Sequence, residues 1–165
     1  MAEAGDLGVA PRPLVIGIGE PMRGDDAFGR RVAQALAAMN DARVDVVECR
    51  GAADALLELF EGRDRVVIVD ACRSGEMPGT MTRFDATTGP LPAVLDAAST
   101  HGFGLAAGIE LARSLGRLPR ACIVLAVVGE DFGVGRRLSP RSPRESTNWR
   151  LGCWPSPWLP GPKPA

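Results

Sequence analysis

A chain of 165 residues, 45% of them apolar and 24% charged, can bury one core and is short for two. A formal net charge of −1 excludes the basic footprint of a nucleic-acid binder, and no apolar run approaches the ~20 residues that a membrane helix needs. What remains is a soluble globular chain with a mean hydropathy of +0.03.

Residues 1–13 mix acids and prolines where a signal peptide would carry a basic stretch and then an apolar one, so a cytoplasmic location is expected. "PLVIGIG" (13–19) is a short β-branched run without polar alternation, the pattern of a strand covered on both faces. The loop "GEPMRGDDAFG" (19–29) leads into a helix on which Phe28, Val32, Ala35, Leu36 and Met39 repeat at helical spacing. "RVDVVEC" (43–49) reads as a weaker strand, and Ala53, Leu56, Leu57 and Phe60 as a second helix. "RVVIVDA" (65–71) is another buried strand, and "GTMTRFD" (79–85) an edge strand. A third helix follows through Leu105, Ile109, Ala112 and Leu115, and "ACIVLAVVG" (121–129) closes the series. Strands alternating with helices over short connections predict a three-layer α/β/α sandwich around a mostly parallel sheet.

Composition changes at residue 139. The segment 139–165 holds seven of the fourteen prolines and all three tryptophans, with neither a helical nor a strand period. Proline at that density prevents a regular helix, so the chain divides into one α/β domain over 1–138 and an irregular tail over 139–165. Cys49, Cys72, Cys122 and Cys153 form no CxxC pair and read as reduced thiols.

The first loop looks like a dinucleotide turn, but Met22 stands where the third glycine of G-x-G-x-x-G belongs. Asp25 and Asp26 would also repel a phosphate at the helix N-terminus, which can instead hold a carboxylate ionised and aimed outward. One of the pair can cap the helix. Asp70 finishes a run of aliphatics, so it is expected to face a cleft at the carboxyl edge of the sheet, where open α/β sheets place their functional groups. His101, the single histidine, lies in "STHGFGLAAGIELA" at the start of the third helix. Two carboxylates and one imidazole at three loop ends suit a divalent metal. A cysteine hydrolase built on Cys72 and His101 is the rival enzyme, and a small-ligand binding protein is a further alternative. Arg30, Arg31, Arg136 and Arg137 read as solvated surface charges without a role.

Four segments occur in register: "VIGIGEPMRGDDAFG", "VVIVDA" with "PGTMTRF", "STHGFGLAAGIELA", and "VVGEDFGVGRRLSP". Over residues 13–140 the chain thereby resembles the hydrogenase maturation proteases, which remove a C-terminal extension from the large-subunit precursor of nickel–iron hydrogenases. The resemblance implies a phosphorylase/hydrolase-like fold with a five-stranded sheet, one strand antiparallel, and aspartic-type endopeptidase activity; a monomer is expected. It implies that Asp26, Asp70 and His101 contact a nickel ion belonging to the precursor, not one permanently held, and that Asp26 or Asp70 serves as catalytic base. Asp25 is then a helix cap or a supporting acid. Glu20 stands where the family usually has asparagine, and the tail replaces the family's C-terminal helix, so a non-cleaving, nickel-sensing module that binds the precursor is the other reading.

Overall fold

In the computed structural model, which describes residues 11–95 and 104–139, five strands form one sheet in the order β2-β1-β3-β5-β4. They are β1 (Leu14–Ile18), β2 (Asp45–Cys49), β3 (Arg65–Cys72), β4 (Met81–Asp85) and β5 (Ala121–Val128). All pairings are parallel except that of β4 with β5 at the edge. The helices are α1 (Phe28–Ala38), α2 (Ala53–Phe60) and α3 (Leu105–Ser114).

Successive strand residues point to opposite faces, and both faces are covered. Val15, Val67, Val69, Ile123, Leu125 and Val127 share one cluster with Phe28 and Val32 of α1. Leu14, Ile16, Val66, Ile68 and Val124 share the other with Leu56 and Phe60 of α2 and Ile109 of α3. The strands lack polar alternation because neither face meets water, as the sequence predicted. The edge strand β2 is only half-buried until Cys49, and its acids are paired: Glu48 with Arg30 of α1 at 2.7 Å, and Asp45 with Arg12 at 3.2 Å. Arg30 thereby ties a helix to the sheet edge.

The glycines of "GIG" serve packing. A Cβ on Gly17 would lie 2.2 Å from the carbonyl oxygen of Gly29, and one on Gly29 would lie 2.2 Å from that of Val69. The first turn of α1 therefore rests directly on the backbones of β1 and β3. Gly29→Ala should lower stability by about 3 kcal/mol, at the upper end of overpacking costs, read as a fall in the urea midpoint. Gly89→Ala, whose added Cβ meets nothing within 4 Å, is the control and should shift stability by less than about 1 kcal/mol.

Ser139, read from sequence as the start of the tail, is buried and bonded to Asp25, so it belongs to the fold. Residues 140–165, with Cys153 and the tryptophans, lie outside the described residues, as does His101. Among the described residues no helix is long and apolar enough to cross a membrane.

Candidate active site

β1, β2, β3 and β5 all end at the same edge of the sheet, and the strand order reverses between β1 and β3. The chain leaves β1 for β2 on one side, then returns to place β3 on the other. Such a switch point opens a crevice between the two departing loops. Asp26 lies in the loop after β1 and Asp70 near the end of β3. Gly17 pairs with Val69, so Asp70 is one residue past a paired position, and strands lie about 4.8 Å apart. A Cβ on Gly19 would fall 1.8 Å from the backbone oxygen of Asp26. Gly19 thus lets the chain turn beneath Asp26 and holds that residue over the end of β1.

Asp25 and Asp26 occupy a single 3-10 turn, Gly24–Ala27, ahead of α1, and neither caps it. The sequence reading of a carboxylate held outward by a helix dipole is corrected here. Asp26 directly precedes the N-cap of α1, but it is 9% exposed and does not face outward. Its Oδ2 accepts a hydrogen bond from the Glu20 amide at 3.0 Å. Burial pushes the Asp26 carboxyl above its ordinary value. The Glu20 amide and the charges of Arg23 and Arg73 pull it down without cancelling that, while the Glu20 charge adds to the rise. Glu20, the residue in the asparagine position, faces Arg50 across 3.5 Å, which partly offsets the charge it brings to the loop.

Asp25 turns the other way. Its Oδ2 accepts from the amides of Glu130 (2.8 Å) and Asp131 (3.1 Å) and from the Ser139 hydroxyl (2.9 Å), and its Oδ1 from the Ser139 amide (2.7 Å). It stitches the loop after β1 to the loop after β5, a supporting acid and not a helix cap. Sequence offered one unused signal. Adjacent residues of a helical turn point about 100–120° apart, so two neighbouring acids cannot share one outward direction.

Asp70 is 7% exposed, and its Oδ1 accepts from the Ala71 amide at 2.8 Å. β3 runs on to Cys72, two residues further than a strand finished by Asp70 would. Beyond it, Arg73 stacks on Phe132 at 4.6 Å from the ring centroid, adding a cation to the same rim. Among the described residues no three His, Cys, Asp or Glu side chains gather closely enough to hold a metal ion, and the place of His101 in the proposed trio falls outside them.

Cys72 lies on the same strand face as Asp70 and is buried, 4% exposed. Burial, and then the charges of Asp70 and Glu76, push its thiol up to about 11, so little thiolate is available for attack. Cys72→Ala should leave any peptide cleavage within about twofold of the parent rate, because a buried thiol of this kind is a small apolar filler. An abolished cleavage with an unchanged thermal midpoint would restore the cysteine mechanism.

Fold and site together define an open, mostly parallel α/β sheet protein with two buried acids in the segments that flank its topological switch point. The sequence model for hydrogenase maturation proteases matches residues 30–141, and the chain belongs to that family. The match covers Asp70 and begins four residues past Asp26. An endopeptidase from Escherichia coli superposes with a TM-score of 0.68 at 29% identity, covering 79% of this chain and 82% of that one. The hydrogenase maturating endopeptidase HybD of E. coli gives 0.66 at 28%, with the same coverage. The [NiFe] hydrogenase maturation protease HycI of Thermococcus kodakarensis gives 0.62 at 27%, covering 79% and 81%. The hydrogenase expression/formation protein HupD of Thiocapsa roseopersicina is 29% identical over 128 residues, or 74% of this chain. The chain spans 58% of that relative's length.

Proposed function

We propose that this protein is an endopeptidase that cuts the C-terminal extension from the large-subunit precursor of a nickel–iron hydrogenase once nickel has been inserted. The observation that carries the reading is the two buried acids at the switch point of the sheet, Asp26 in the loop after β1 and Asp70 near the end of the adjacent strand β3. Family membership and the endopeptidases among the solved relatives support it.

The nickel is part of the substrate. Asp26, Asp70 and His101 approach its accessible side, and an oxygen-rich set of this kind is too weak to remove nickel from thiolate ligands. In the cleavage step, a carboxylate, Asp26 or Asp70, accepts a proton as the water oxygen bonds to the scissile carbonyl carbon. The carbonyl π electrons move onto oxygen, and collapse of that adduct expels the amine, which takes the proton. Burial fits Asp26 to the role of base, because a carboxyl raised above its ordinary value is a stronger base toward water. Arg23 and Arg73 place positive charge beside it, where negative charge develops on the adduct.

The test is incubation with nickel-loaded and nickel-free precursor, followed by electrophoresis of the large subunit. Shortening of the loaded form alone supports the assignment. Binding without shortening supports the non-cleaving module, and shortening regardless of nickel removes the metal from the reading.

A further inference from the structure

The arginines that look like unrelated surface charges in sequence separate into two kinds in the structure. Arg30 is taken by Glu48. Arg31 and Arg137, with the Asp131-bound Arg136, line one groove of about 390 Å³ with Met22, Leu138 and Ala27, and among the described residues no acidic residue lines it. The volume falls in the range of ligand sites. Its lining has a single sign of charge in a chain whose net charge is −1. The adjoining hollow of about 530 Å³ differs, since Glu130 and Asp131 line it along with Arg136 and Arg137.

The groove is built, not incidental. One wall is the loop that carries Asp26, and the other is the loop after β5. The Gly24 amide donates to the Arg136 carbonyl at 3.2 Å and the Gly135 amide to the Met22 carbonyl at 2.7 Å, while Arg23 and Arg136 form a parallel bridge. Asp131 holds the Arg136 guanidinium at 3.3 Å, which fixes its direction. Arg31 and Arg137 have no ion pair among the described residues and stand exposed. Met22 is 63% exposed and offers an apolar floor at the mouth.

From this we infer that the groove is a docking subsite for an acidic peptide segment, its Asp and Glu side chains paired with Arg31, Arg136 and Arg137 and its backbone lying over Met22. That the segment belongs to the precursor rests on the peptidase reading. Because one wall is the Asp26 loop, a chain seated there is delivered to the rim of the candidate active site. Fixed charges at such a rim act on capture and register more than on the chemical step.

The experiment measures binding and cleavage separately with nickel-loaded precursor. In the Arg31→Gln/Arg136→Gln/Arg137→Gln variant, KM and the dissociation constant by fluorescence anisotropy should each rise about tenfold at low salt, the combined effect of three solvent-facing charge contacts, with kcat unchanged. Adding salt should weaken wild-type binding and have little effect on the variant. Arg31→Gln/Arg137→Gln, which keeps the Arg136–Asp131 pair, guards against a folding defect and should show most of the effect. The triple lysine variant should restore most of it. A dissociation constant within twofold of wild type, or a loss confined to kcat, overturns the inference. Salt-sensitive binding without cleavage sinks the peptidase reading and leaves the groove standing; absence of both sinks both.

Discussion

Asp26→Asn is expected to lower processing of nickel-loaded precursor about a thousandfold, within the range of a lost general base, while the protein melts at the same temperature or slightly higher. Asparagine keeps the shape and an oxygen to accept the Glu20 amide, now 3.0 Å from Oδ2, but removes the negative charge. Burial disfavours that charge, so a neutral group at this position relieves a penalty that the ionised carboxylate imposes. A site that weakens the fold in order to react is a common compromise. The pH dependence follows with two opposite signs. With Asp26 as the proposed base, loss of activity on acidification should begin above the ordinary aspartate value. The stability contribution of a raised carboxyl is present below the unfolded value of 3.8 and is lost as pH rises through the folded one. Processing within tenfold of wild type would remove Asp26 from the chemistry, and a melting point lowered along with activity would show a structural role instead.

The layers and most of the elements were legible because β1, β3 and β5 are enclosed on both faces, which leaves aliphatic runs that nothing but a buried strand explains. Strand order was not legible. Nothing in "GTMTRFD" says that it runs against β5, since an edge strand is chosen by what lies beside it. Asp70 stood out because a carboxylate at the end of an aliphatic run needs a reason, whereas only the family resemblance singled out Asp26 from Asp25. The division of labour between Asp25 and Asp26 was hidden, because it depends on Glu130, Asp131 and Ser139, more than a hundred residues away in the chain. The same holds for Arg31, which meets Arg136 and Arg137 only after the sheet has brought the two loops together. Local pattern reveals which groups are unusual, and long-range closure decides what they touch.

That closure makes Asp25 the position where substitution should harm the fold most. Asp25→Ala is expected to lower unfolding free energy by about 4 kcal/mol, since hydrogen bonds to a charged group contribute about 1.5–3 kcal/mol each and do not add fully. The carboxylate is 1% exposed, so the amides it leaves lose a charged acceptor that a neutral water replaces only in part. Asp25→Asn keeps the volume but turns an N–H donor toward amides that also donate, and should cost about 2 kcal/mol. Ser139→Ala loses only the hydroxyl bond and should cost about 1 kcal/mol. Urea unfolding gives the ranking, and hydrogen exchange at the Glu130, Asp131 and Ser139 amides should quicken in the asparagine variant before global unfolding does. Burial by itself would raise the Asp25 carboxyl, but the amides of Ser139, Asp131 and Glu130 and the Ser139 hydroxyl outweigh it, and the group lies below its ordinary value. Its contribution to stability is therefore present above the unfolded value of 3.8 and lost as pH falls through the folded one. Acid should loosen the loop after β5 first, and with it the groove wall that carries Arg136 and Arg137. An Asp25→Ala protein within 1 kcal/mol of wild type would mean that the two loops are held by their backbone bonds alone, leaving Asp25 without the clamping role its four bonds describe.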